Sequence, residues 1–108
     1  LGGGSDSPVE SFAPLWGIHC AVNRPGNPEE AGAPFLPREA LSPEEALSLY
    51  TTGPATLANA EAELGTLEAG KLADLVILAA DPVTADPGTI KDIPVVLTMA
   101  GGRITYEK

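Results

Sequence analysis

The sequence predicts an α+β chain in which helices come first and strands last. Three observations carry this reading. A capping box opens a helix at Ser42. Two short apolar runs, Leu75-Val76-Ile77-Leu78 and Val95-Val96-Leu97-Thr98-Met99, are each bounded by turn residues. A Gly101-Gly102 pair then joins the second run to Arg103-Ile104-Thr105-Tyr106, the pattern of a tight hairpin. The helical part is expected over residues 1–62 and the β part over residues 63–108.

The first dozen residues are turn-forming: three glycines, then Ser5-Asp6-Ser7-Pro8. Pro14 suits the first turn of a helix, where a missing N–H costs nothing. Leu15, Ile18, Ala21 and Val22 recur at helical spacing, so a helix is expected over 14–23, ending before Pro25-Gly26. Residues 24–41 hold prolines and glycines without periodicity and are expected to be a loop. A loop that long is unusual in a compact domain and is often functional or a segment that wraps around its neighbours.

The next helix has a chemically defined start. Ser42 can accept from a free backbone N–H, Pro43 fits the first position, and Glu45 can reach back to the Ser42 N–H. Leu41 and Ala46 are placed for the flanking apolar contact, and Ala46, Leu47 and Tyr50 form the expected inward face. Gly53 is expected to stop this helix, and Pro54 to start another through about Ala60. In the β part, the run at Leu75–Leu78 reads as a strand buried on both faces. Asp81-Pro82 and Asp86-Pro87-Gly88 read as turns, and Gly65 and Gly70 as positions needing positive φ.

Composition narrows the function classes. The chain has 108 residues, enough for one domain with a modest core. Its twelve glycines and eleven prolines imply many turns and few long elements. The formal charge is -9, from 15 acidic and 6 basic residues. Nucleic acid and anionic membrane surfaces are therefore excluded as partners, since both need clustered Lys and Arg. The acidic residues are scattered, with short pairs only at Glu29-Glu30 and Glu44-Glu45, which reads as a solvated surface. No apolar run reaches the ~18 residues of a membrane span. Cys20 is the only cysteine, so no intrachain disulfide can form, and a reducing compartment, the cytoplasm, is expected. The chain opens on Leu1 rather than Met, and an upstream natural N-terminus is expected.

The β part carries the most specific pattern: Gly65, then Glu68-Ala69-Gly70-Lys71, Ala73-Asp74, an apolar strand, and a closing strand followed by Gly101-Gly102. It resembles the closing β-sandwich segment of the amidohydrolase superfamily. The helical part narrows the likeness. Gly4-Ser5-Asp6-Ser7-Pro8-Val9-Glu10, Pro14-Leu15, Leu41-Ser42, Glu45-Ala46-Leu47 and Thr52-Gly53-Pro54-Ala55 are similar to amidohydrolase family 3, to which N-substituted formamide deformylases belong.

That resemblance implies a fold and an activity. Residues 1–62 would be the C-terminal end of a (β/α)8 barrel, with the strand-8 loop and the helices after it. Residues 63–108 would be part of a composite β-sandwich. The intact parent would be a metal-dependent hydrolase of carbon–nitrogen bonds other than peptide bonds, with a small amide-type substrate and a divalent metal, zinc being the expected one. The family's ligands are a His-x-His after strand 1, a Lys or Glu after strand 4, histidines after strands 5 and 6, and an Asp after strand 8. Only the last has a counterpart here. Asp6 takes that place, as metal ligand and as the base that deprotonates metal-bound water. The sequence has no His-x-His, and His19 is its sole histidine. A zinc site needs three or four ligands, so this chain alone is expected to hold no metal tightly and to be inactive.

Each candidate also has an ordinary reading. Judged on residue type alone, Asp6 is a turn residue; the resemblance makes it catalytic. Ser5 and Ser7 flank it as substrate contacts or as turn serines. Trp16 is either a core aromatic or a substrate contact. His19 is expected to be a packed or surface residue, Cys20 to be a small hydrophobe rather than a reactive thiol, and Asp74 and Lys71 to be structural. A free-standing, non-catalytic binding or structural β module is the alternative function. The strands at 74–79 and 94–100 would keep open edges and an uncovered face without upstream strands, so the isolated chain is expected to self-associate through residues 63–108.

Overall fold

A computed structural model describes residues 1–26 and 32–108. Helix α1 spans Pro14–Asn23, α2 spans Pro43–Ser48 and α3 spans Thr52–Leu57. Strands β1 (Leu75–Leu78), β2 (Val95–Ala100) and β3 (Arg103–Glu107) form an antiparallel sheet in the order β1-β2-β3. The fold is thus a small α+β arrangement, helices first.

Helix α1 has the expected bounds. Pro14 occupies its first turn, and Arg24 ends it in the left-handed region, its N–H donating to the Cys20 carbonyl. Arg24 also closes the loop that follows. Its backbone carbonyl accepts from Phe35 N, its Nε donates to the Phe35 carbonyl, and its guanidinium lies 5.5 Å from the Phe35 ring centroid. The described part of this segment, residues 24–26 and 32–41, is pinched together there and holds a short 3-10 turn at Pro37–Glu39. Glu29, Glu30 and the middle of this loop lie outside the described residues.

Helix α2 starts as its sequence dictates. Glu45 N donates to Ser42 Oγ at 3.2 Å, and Ser42 N donates to Glu45 Oε2 at 2.8 Å. Its end corrects the expectation for Gly53. The helix stops at Ser48, where Tyr50 N and Thr51 N turn to the Leu47 and Ser48 carbonyls, and Thr51 Oγ1 donates to the Leu47 carbonyl. Gly53 lies inside the first turn of α3, where a Cβ would collide with the Leu1 carbonyl. It is a close-approach glycine, not a helix stop, and α3 begins before Pro54 and ends at Leu57 rather than near Ala60.

The core joins both portions of the chain. Ile18 of α1, Ala46 of α2 and Ile90 of the 3-10 segment Pro87–Asp92 are all at most 2% exposed and form one cluster. Leu15, Ala21, Val22, Leu41, Leu47 and Tyr50 pack around it, as the helical spacing predicted for those faces. Asn23 Nδ2 donates to the Pro87 carbonyl at 2.8 Å, fixing the 3-10 segment on α1.

The sheet departs from expectation in its burial. Val76 and Ile77 of β1 are 51% and 48% exposed, so β1 is not covered on both faces. An apolar run read as doubly buried needs a layer on each side, and this chain supplies only one. The apolar groove left between α2, α3 and the sheet measures about 730 Å³, with Leu47, Pro54, Leu64, Leu75 and Met99 among its lining residues. The chain is also extended for its size: its radius of gyration is 14.9 Å, against about 13 Å for a compact domain of similar length.

The turn residues behave as their chemistry requires. Gly101 and Gly102 both have positive φ, 55° and 77°, as the two-residue hairpin turn demands. Gly65 and Gly70 have φ of 96° and 95°. Asp81 and Asp86 each accept from a backbone N–H two residues on, at 2.9 and 2.8 Å.

Candidate functional site

The N-terminal turn and the exposed side of α1 frame a cleft of about 550 Å³, lined by Ser5, Glu10, Ser11, Trp16, Cys20 and Tyr50 together with neighbouring glycines and Pro25. Segment 1–4 is tied to α2 by a hydrogen bond from Gly3 N to the Leu49 carbonyl at 2.7 Å. The Tyr50 ring is wedged between Gly3 and Gly17, where a Cβ at either position would overlap it. Two glycines therefore set where the phenol sits in the cleft.

Asp6 holds the turn beside this cleft. Its φ is 51°, and its carbonyl accepts from Val9 N at 2.9 Å. Aspartate is one of the few residues that occupy this left-handed region readily. Asp6 is exposed and lies outside the cleft lining, and its carboxylate makes no hydrogen bond to a described residue. A carboxylate presented in this way is chemically fit to serve as one metal ligand or as a proton acceptor. It is not a site by itself: no three His, Cys, Asp or Glu side chains cluster among the described residues.

Of the residues singled out in the sequence, Ser5 and Trp16 meet in the cleft, while Asp6 and Ser7 stay exposed on the turn. The Trp16 indole stacks on the His19 ring, with centroids 5.5 Å apart and planes 17° from parallel. His19 is buried. Asn23 Nδ2 lies 3.1 Å from His19 Nδ1 while also reaching the His19 and Pro87 carbonyls. Two amide hydrogens thus serve three acceptors, and this shared bonding holds the imidazole as a packing group. Cys20 is half-buried; burial first, and Glu10 second, push its thiol pKa up. It is poorly suited to act as a thiolate.

Two cleft groups, Glu10 and Tyr50, were not legible as such. Tyr50 reads as a helix-face aromatic, and only the tertiary approach of Gly3 and Gly17 turns it toward the cleft. Glu10 was visible only as part of the Ser5–Glu10 stretch.

Lys71 and Asp74 are structural. Lys71 Nζ donates to the Glu61 carbonyl at 2.7 Å and to Thr66 Oγ1 at 2.8 Å, and pairs with Glu68 at 3.1 Å. The Thr66 hydroxyl first, then Lys71, hold the Glu68 carboxyl below its usual range. Asp74 caps the hairpin turn through Gly101 N.

The described residues thus give three helices, a three-stranded meander, an exposed Asp6 carboxylate on a turn and an apolar groove between helices and sheet. The chain belongs to the amidohydrolase family, which it matches over residues 1–106. It is 38% identical over 106 residues to the protein named "Putative amidohydrolase YtcJ" of Bacillus subtilis (strain 168), covering 98% of this chain and 20% of that protein. It is 38% identical over 104 residues to the N-substituted formamide deformylase of Arthrobacter pascens, covering 96% of this chain and 19% of the relative. It is 36% identical over 106 residues to the protein LONG AFTER FAR-RED 3 of Arabidopsis thaliana, covering 95% of this chain and 17% of that one. The chain therefore spans no more than a fifth of the length of these relatives.

Proposed function

We propose that this chain is the closing segment of a metal-dependent hydrolase that cleaves carbon–nitrogen bonds other than peptide bonds, with residues 1–62 ending a barrel and residues 63–108 contributing to a β-sandwich. The observation that carries the reading is the family match over nearly the whole chain, at a fifth of its relatives' length. In this reading Asp6 is the strand-8 carboxylate. Its exposed side chain, without a hydrogen bond to a described residue, supports that role by leaving the carboxylate available to a metal or a water. A divalent metal held by ligands elsewhere in the parent, with zinc as the expected ion, would lower the pKa of water toward neutrality. The part played by this chain is then to accept a proton at Asp6 and to border the substrate with Ser5, Ser7 and Trp16.

A small amide is the proposed substrate class, with N-substituted formamides the first candidates because one relative carries that name. A reducing compartment, the cytoplasm, suits the single free Cys20. Among the described residues, no helix is long and apolar enough to cross a membrane. The test is to express the parent and assay a panel of linear, cyclic and N-formyl amides before and after chelation. Hydrolysis abolished by the chelator and restored by zinc supports the reading. No hydrolysis of any panel member by metal-loaded parent overturns it.

A further inference from the structure

Tyr50 joins the core to the segment that carries Asp6. It packs against the Ile18, Ala46 and Ile90 cluster. It also stands against Gly3, where a Cβ would lie 2.7 Å from Tyr50 Cζ and 2.8 Å from Cε2. The residue before it, Leu49, accepts a hydrogen bond from Gly3 N at 2.7 Å. Two adjacent residues after α2 thus hold one glycine, through a carbonyl and through a ring. Upstream of Gly3, the chain rests on α3. A Cβ on Gly53 would collide with the Leu1 carbonyl, and one on Gly2 would lie 2.8 Å from Leu57 Cδ1. Downstream the seating stops: a Cβ on Gly4 would meet nothing within 4 Å, and the Asp6 turn closes on itself through Val9 N at 2.9 Å. We propose that Tyr50 is a positioning residue, whose ring fixes Gly3 and through it the place of the Asp6 carboxylate. This rests on the reading of Asp6 as the proton acceptor.

The physical case is one of tolerance. A general base works at a heavy-atom distance of roughly 2.6–3.2 Å from the proton's donor, and a displacement of about 1 Å from a distant change can cost roughly 10²-fold in rate. Asp6 follows Gly3 closely in the chain, so a shift at Gly3 is passed on to it. A tyrosine suits the task because its ring is rigid and has only two side-chain torsions. Here the ring is also confined, with Gly3 on one side and Gly17 of α1 on the other. The atoms nearest Gly3 are ring carbons, with the hydroxyl oxygen further out at 3.1 Å from the added Cβ. The ring, not the hydroxyl, therefore carries the contact. A smaller side chain at position 50 leaves a gap behind Gly3, and a side chain at position 3 pushes the segment off the ring. Every one of these contacts is made within the chain and depends on no residue outside it.

The experiment measures kcat, KM and zinc content of the intact, zinc-loaded parent carrying Tyr50→Phe, Tyr50→Leu or Gly3→Ala, each alone and together with Asp6→Asn. Tyr50→Leu and Gly3→Ala are expected to lower kcat per bound zinc about tenfold or more, with KM within about threefold of the unsubstituted enzyme. Tyr50→Phe keeps the ring and is expected to stay within about twofold. Combined with Asp6→Asn, the loss from Tyr50→Leu is expected to shrink to about twofold or less, because a residue acting through a carboxylate has no effect once that carboxylate is gone. Circular dichroism checks the fold; should Tyr50→Leu lose it, Gly3→Ala carries the same comparison. Normal kcat in both Tyr50→Leu and Gly3→Ala, beside a slow Asp6→Asn, overturns the proposal alone. So does a Tyr50→Phe as slow as Tyr50→Leu, since the hydroxyl then acts directly, and so does a loss undiminished by Asp6→Asn, since the ring then acts elsewhere. Near-normal kcat in Asp6→Asn overturns the proton-acceptor reading itself, and the proposal with it.

Discussion

The Asp74 carboxylate accepts a 2.6 Å hydrogen bond from the backbone N–H of Gly101, across 27 residues of chain. Beside it, Gly102 N donates to the Ala73 carbonyl at 3.1 Å. The Ala73-Asp74 pair at the start of β1 thus holds both amides of the β2–β3 turn, and Gly101 and Gly102 supply the positive φ that the turn requires. This gives the most specific motif in the sequence a structural purpose: it locks the last hairpin onto the first strand.

We predict that Asp74→Ala lowers stability by about 1–2 kcal/mol, the range for a charge-assisted bond in a partly solvated position. Asp74→Asn keeps an acceptor and is expected to cost less. Urea melts of the three proteins check this. Equal midpoints for Asp74→Ala and the wild type would remove the anchoring role.

Gly17 inverts a general rule. Glycine to alanine within a helix ordinarily stabilises by up to about 1 kcal/mol. Here the added methyl overlaps Tyr50, which Gly3 blocks from the other side. We predict that Gly17→Ala destabilises by about 1–3 kcal/mol, the usual cost of overpacking, and that adding Tyr50→Phe recovers part of the loss. Thermal melts decide it: a stabilised Gly17→Ala would show that the phenol moves aside freely.

The Glu68 carboxyl is held below its usual range by the Thr66 hydroxyl and Lys71. A depressed folded-state pKa gives stability that is present above the unfolded pKa and lost as pH falls through the folded one. We predict that Glu68→Gln is less stable than the wild type at pH 7 and that the difference closes on acidification below the ordinary glutamate range. The group is fully exposed, so the effect is small and screened by salt. Paired melts at neutral and acid pH read it. A gap that widens in acid would contradict the assignment.

Much of the fold was written locally. Pro14 and Pro25-Gly26 bracket α1, the Ser42–Glu45 box starts α2, and paired glycines turn β2 into β3. What escaped the sequence depends on distant chain. Gly53 reads as a helix stop until the Leu1 carbonyl is seen against it. Ile90 is a lone apolar residue in Pro87-Gly88-Thr89-Ile90-Lys91-Asp92, with no period to mark it, yet it is fully buried. Val76 and Ile77 read as doubly covered, because residue type records the layer a strand was built for and not whether this chain supplies it. The candidate site divides in the same way. Ser5, Asp6 and Trp16 were visible through a motif, whereas the positions of Glu10 and Tyr50 come only from the approach of segment 1–10 to α1 and α2.

The last prediction concerns Asp6. Asparagine shares aspartate's tolerance of the left-handed region, so Asp6→Asn keeps the turn at φ 51° and the Val9 N–H bond to its carbonyl. The side chain is exposed and unbonded to described residues, so its loss costs the fold little. What the substitution removes is a proton acceptor. In the intact parent we predict unchanged stability, nearly full metal content, and a kcat lower by roughly 10²-fold or more, the range for a lost general base. Near-normal kcat would show that Asp6 moves no proton. The isolated chain gives an independent check. With one exposed carboxylate and no cluster of ligands among the described residues, it should keep no zinc after equilibration and dialysis. One tightly held zinc per chain, lost in Asp6→Ala, would show instead that this segment builds a metal centre of its own.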